Sequence, residues 1–194
     1  MASSSSLTLE TNDKFLLLRL RTGDGINHLT RSAVIELTEA VRQLAGSLRP
    51  LIVTGNDKFF SVGADLNEIA ALDGPTAIEF SKMGGQLMSA IEDFPAPVYA
   101  AVSGYCMGGG LDLALACHRR IASPNAVFGH RGAALGLITG WGGTQRLPRL
   151  VGKARALQMF LAAEQIGAHE ALRIGLVDAI APDPIAEAVR RLQG

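Results

Sequence analysis

Residues 104–114 read GYCMGGGLDLA: small residues, three consecutive glycines, then one acid, Asp112, set in an apolar pattern. Glycine loses more backbone freedom on folding than any other residue, so three in a row mark a place where the backbone itself must be approached closely. On the N-terminal side, PVYAAVSG (97–104) reads as a buried strand, and Pro97 suits a strand start. On the C-terminal side, GGLDLALACH (109–118) reads as a helix. The stretch is therefore a strand, a bare turn and a helix.

Working outward, the same alternation recurs. SSLTLET (5–11) and FLLLRL (15–20) read as two strands around a turn at Asn12-Asp13. Residues 29–44 place Val34, Leu37, Val41 and Leu44 at helical steps. PLIVTG (50–55) is a buried strand, and FFSVGADLNEIA (59–70) a loop entering a helical turn. Residues 75–92 predict a helix with Ile78, Met83, Leu87 and Ile91 inward, and RRIAS (119–123) a strand. Residues 127–152 read mostly as loop, punctuated by glycine and Pro148. Helices over 153–164, 168–175 and 185–193, with a strand at 176–181, complete the chain. The expected class is a largely parallel α/β fold.

Composition narrows the function. The 194 residues suffice for one or two domains. Lys+Arg and Asp+Glu both number 18, so the basic excess of a nucleic-acid binder is missing. No apolar run reaches the roughly 18 residues of a membrane span. MASSSS, residues 1–6, reads as a disordered tail before a domain over 7–194. Cys106 and Cys117 share one apolar stretch without metal spacing, which points to a reduced, cytoplasmic protein holding no metal.

Three chemistries compete for the glycines. A phosphate loop would continue into Lys-Ser or Lys-Thr, and a dinucleotide fold would show G-x-G-x-x-G; neither follows. Gly104-Tyr105-Cys106-Met107-Gly108 fits a nucleophile elbow, which needs an acid and then a histidine further on. No histidine follows Asp178 or Asp183, and Asp112 is too near the elbow, so Cys106 reads as a small buried packing residue. The third reading is an oxyanion hole. Phe60–Leu66 is a second strand-loop-helix unit, and two such loops could aim two backbone N–H groups at one carbonyl oxygen.

Four blocks then matter together: FFSVGADLNEIA (59–70), AAVSGYCMGGGLDLALACHRRIAS (100–123), LGLITGWGGTQRLPRLVGKARA (135–156) and ALRIGLVDAI (171–180). In order and spacing they resemble the enoyl-CoA hydratase/isomerase (crotonase) family, from about residue 7 to the end. The resemblance implies a crotonase-like spiral of β-β-α units and a coenzyme A thioester substrate, with no tightly bound cofactor. It implies oxyanion donors at Ala64 and Gly109, and coenzyme A contacts along Ala64, Asp65, Leu66 and Asn67. It implies a homotrimer or hexamer, with the usual C-terminal helical trimerisation segment largely missing, since one helix follows GLVDAI.

The departures are specific. The family's first acid position holds Asp112, one methylene shorter than glutamate; the second holds Gly132, which removes a carboxylate and leaves space for a bulkier acyl group. A two-glutamate hydratase mechanism therefore does not carry over. The position of a further family acid is Gly140. His130 and Arg131 flank the gap: the imidazole would titrate near neutrality, and the guanidinium could hold an anion. The helix dipole is expected to lower the pKa of Asp112, Asp65 to cap its helix, and Trp141 to pack under the WGGTQRLPR loop. The expected function is enoyl-CoA hydratase or isomerase chemistry through an oxyanion-stabilised enolate. The alternatives are a silent acyl-CoA-binding subunit, or decarboxylation or thioester hydrolysis on the same scaffold.

Overall fold

The computed structural model describes residues 5–193. Residues 1–4 of the expected tail lie outside the described residues, while Ser5 and the backbone N–H of Ser6 both donate to Glu36. The larger sheet has the order β1(Leu7–Thr11), β2(Leu16–Leu20), β3(Leu51–Thr54), β5(Val98–Val102), β7(Arg119–Ala122), β10(Ala179–Ile180). β1 and β2 pair antiparallel, and every later pairing is parallel. Alternation along each strand sorts its side chains between two faces. Leu16, Leu18, Leu51, Val53, Val98 and Ala100 join the main core beneath α1(Arg31–Ala45), α3(Gly74–Glu92) and α4(Gly109–Ala116). Leu17, Ile52, Ala101 and Ile121 point the other way, under α8(Pro184–Gln193), which brings Ile185, Ala188 and Val189.

The smaller sheet positions the site. Its order is β4(Phe59–Ser61), β6(Tyr105–Met107), β8(Val127–Gly129), β9(Gln165–Gly167), parallel except for β9. Because β4 and β6 run side by side in one direction, the loops that leave them emerge together. The loop after β4 enters α2(Leu66–Ala70), and the loop after β6 enters α4. The alternating, largely parallel architecture expected from the sequence is present.

Several local expectations are corrected. Residues 127–152 are not mostly loop: they hold β8, a 3-10 turn over Gly132–Leu135 and α5(Gly143–Val151), with Pro148 inside the helix. Full burial of Leu147 holds that helix against the cost of the proline. Ile78 is 58% exposed, because the buried face of α3 runs through Phe80, Gly84, Leu87, Met88 and Ile91. The strand expected at 176–181 shortens to Ala179–Ile180. α6(Lys153–Leu161) and α7(Ala168–Arg173) enclose the unanticipated strand β9.

Candidate active site

The two loops touch where the glycines are. Gly63 has φ +87, and a Cβ there would lie 2.6 Å from the Gly109 N atom. Gly108 has φ +52, a conformation that side chains oppose, and it starts α4. A Cβ on Gly109 would lie 2.5 Å from the Trp141 ring and 3.4 Å from the Ala64 N atom. The bare backbone thus lets Ala64 and Gly109 converge. The stitching is polar: the Ser61 hydroxyl donates to the Asn27 carbonyl (2.7 Å) and accepts from Gly63 N–H (3.1 Å), while Leu29 N–H donates to the Gly63 carbonyl (2.8 Å). Among the described residues, neither the Ala64 nor the Gly109 N–H has a protein acceptor, as expected at a helix start.

Both residues line a cavity of about 600 Å³, within the usual range for small-molecule sites. Its lining is largely apolar, with Leu72, Phe80, Met107, Trp141 and Phe160 among its members. Leu66 stands at the rim, 53% exposed. Asp65 is used as expected, its carboxylate accepting from Asn67 N–H at 2.7 Å as the N-cap of α2. Asp65 and Asn67 are not on the cavity wall. Trp141 lies under the start of α5, as expected, and also forms cavity wall; its indole N–H donates to the Phe80 carbonyl at 3.2 Å.

Asp112 sits in the first turn of α4, fully buried. One carboxyl oxygen accepts from the Thr139 hydroxyl, and the other faces His130 Nε2 at 3.4 Å. Burial raises its pKa to about 7, against the opposing pull of the Thr139 hydrogen bond and the Arg146 charge. The expected lowering by the helix dipole is therefore overturned: loss of water outweighs it. His130 is corrected too. It is buried at 4% exposure, its ring tilted 40° to that of Phe160 at a centroid distance of 5.1 Å, and burial pushes its pKa down to about 4. Both groups are held towards neutrality, so the 3.4 Å contact is not an ion pair.

Gly132 lies on the cavity wall, but the space beside it is occupied: a Cβ there would come within 2.7 Å of the Leu137 carbonyl oxygen, in the turn closed by Leu137 N–H to Gly132. Arg131 is exposed at the rim. Cys106 is fully buried, and burial pushes its thiol well up, which agrees with packing and not with nucleophilic chemistry. Asp178 accepts from Arg119 and Arg120 (3.0 and 2.8 Å), and Asp183 caps α8, so both other acids of the elbow reading are structural. Sequence reasoning missed Thr139, Phe160 and Gly143, which come from segments distant in the chain. Gly84, buried mid-helix against the Trp141 ring, carried a signal, because a glycine inside a helical pattern often marks close packing.

The arrangement is a β-β-α fold with two N–H groups that lack protein acceptors, among the described residues, beside a largely apolar cavity. The enoyl-CoA hydratase/isomerase family model matches residues 10–192, and the chain belongs to that family. It is 38% identical over 193 residues to a crotonyl-CoA hydratase of Syntrophomonas wolfei, covering 97% of this chain and 74% of that protein. The solved structure of Pseudomonas aeruginosa DspI superposes with TM-score 0.92 at 37% identity, covering 100% of this chain and 75% of that one. An enoyl-CoA hydratase from Thermoplasma volcanium gives TM-score 0.92 at 31% identity, covering 98% and 77%.

Proposed function

We propose that this chain carries out hydratase or isomerase chemistry on an enoyl-CoA thioester, with the thioester oxygen held by the N–H groups of Ala64 and Gly109. The observation that carries the reading is the pair of unpartnered amides converging on the same cavity that Asp112 and His130 line. In hydration, water oxygen bonds the β carbon and one water proton passes to a protein base. The C=C electron pair moves to the thioester oxygen as an enolate, then returns to bond a proton at the α carbon. In isomerisation, a proton leaves one carbon of the enolate system and returns at another. Donors that tighten as the oxygen gains charge lower the barrier, and one such donor is worth about 100-fold to 1,000-fold in rate.

Proton handling belongs to the Asp112 end of the cavity. Coenzyme A enters only as part of the substrate, along Ala64 to Asn67 within an acyl-CoA-binding domain over 7–194, and the working form is a cytoplasmic homotrimer or hexamer. Loss of crotonyl-CoA absorbance, followed for the wild type and Asp112→Ala, tests the reading. Turnover by the wild type with a large loss in the variant is expected. Tight binding of crotonyl-CoA and of other enoyl, dienoyl and malonyl thioesters with no turnover would instead favour a silent binding subunit.

A further inference from the structure

Of the buried ionisable pair on the cavity wall, His130 is 4% exposed and Asp112 lies deeper. Its side chain is 1% exposed, with one oxygen on Thr139 and the other towards His130. Asp112 Oδ1 and His130 Nε2 are sealed, lie 3.4 Å apart and have no hydrogen-bond partner. Nδ1 of the same ring is neither sealed nor hydrogen-bonded among the described residues, and the ring lines the cavity. Gly143 closes the arrangement: a Cβ there would lie 3.0 Å from His130 Nε2 and 2.9 Å from Thr139 Cγ2, and would collide with Asp112 Oδ1. Only a glycine lets α5 close over all three side chains, while Phe160 fixes the plane of the imidazole.

We propose that His130 is the group that exchanges protons with the substrate, and that Asp112 is a positioning residue behind it, accepting from Nε2–H so that the bare Nδ1 faces the cavity. This rests on the thioester reading above. Nδ1 takes the α proton, and the C–H electron pair passes to the thioester oxygen between Ala64 and Gly109. The ring then carries both protons, with its charge facing Asp112. The same proton returns from Nδ1 to carbon, so the ring ends as it began. A single imidazole thus handles the proton that a second carboxylate cannot.

Burial supports this by keeping His130 unprotonated at neutral pH, with its pKa lowered to about 4. Asp112, raised to about 7, supplies the accepting carboxylate as pH rises. The other ionisable groups facing Asp112 are Arg146 of α5, which favours its charge, and Cys106 of β6, whose thiol burial keeps protonated.

The test has two arms. Nitrogen NMR of the imidazole in the full chain at pH 8 is expected to show a neutral ring protonated on Nε2; a proton on Nδ1, or a cationic ring, overturns the arrangement whatever the activity. Exchange of the α protons of butyryl-CoA into D₂O is expected to fall about 100-fold or more in His130→Gln, with butyryl-CoA binding by calorimetry retained. Asp112→Asn is expected to lose less and to lose the rise in rate through about pH 7. Full exchange in His130→Gln with none in Asp112→Asn would make Asp112 the direct base and overturn the proposal. Absence of exchange in the wild type would remove the thioester chemistry, and the nitrogen spectrum would still decide the His130–Asp112 arrangement.

Discussion

Burying Asp112 beside His130 reverses the order of their pKa values, up to about 7 from 3.8 and down to about 4 from 6.5, and each shift is also a statement about stability. Between pH 4 and 7 the folded Asp112 holds a proton that the unfolded chain has released. Its contribution therefore falls as pH rises, by roughly 4 kcal/mol across the window. Between pH 4 and 6.5 the unfolded His130 holds a proton that the folded one has released, so its contribution rises with pH, by roughly 3 kcal/mol. The two largely cancel in the wild type. Removing one should expose the other: in urea titrations across that range, Asp112→Asn should gain stability as pH rises and His130→Gln should lose it. Parallel slopes in both variants would contradict the neutral pair. Thr139→Val removes the hydrogen bond that lowers the Asp112 pKa, so the carboxyl should titrate above about 7, as read by carboxyl carbon NMR. An unchanged or lower midpoint would count against it.

Among the elements, α3 carries two adjacent glycines with opposite environments. Gly84 is buried against the Trp141 ring, whereas a Cβ on Gly85 meets nothing within 4 Å. Gly85→Ala should stabilise by up to about 1 kcal/mol through helix propensity alone. Gly84→Ala should instead destabilise by roughly 1–3 kcal/mol, because the indole must shift out of a packed wall. Denaturant midpoints of the two variants check this, and equal gains would show that Trp141 yields freely. The same glycine explains a misreading of the sequence: a pattern of large apolar residues passes over Gly84 and selects Ile78, which faces out. Where burial is nearly continuous, as in β2, β3 and β5, or follows the helical period, as in α1, the sequence was legible. It was not at α5, where Pro148 and the glycines suggested loop but Leu147 anchors a helix, nor at β9, a three-residue strand defined only by its partner β8. In the site, the motif blocks located Ala64, Gly109 and Asp112. The Thr139 hydroxyl, Phe160 ring and Gly143 gap reach Asp112 or His130 across 27 or more positions, a convergence no local spacing encodes.

At the scale of the whole molecule, the larger sheet is covered on both faces, while Leu157, Leu161 and Leu172 on α6 and α7 stand 57%, 72% and 43% exposed. Scattered exposed leucines are ordinary, and these three, on two consecutive helices, offer apolar surface for a subunit contact. The homotrimer or hexamer proposed above predicts an assembly of three or six chains in sedimentation; a single-chain mass at micromolar concentration would contradict it. The cavity is lined by the two glycine-bearing loops and the 131–140 segment, and in the proposed function both amides are held at one point before any substrate arrives. That preorganisation is the central claim, and the infrared difference spectrum of carbonyl-labelled butyryl-CoA bound to the full chain tests it most directly. Two converging N–H donors should lower the thioester C=O stretching frequency on binding, whereas a bound thioester whose carbonyl band stays at its solution frequency would contradict the oxyanion site at Ala64 and Gly109.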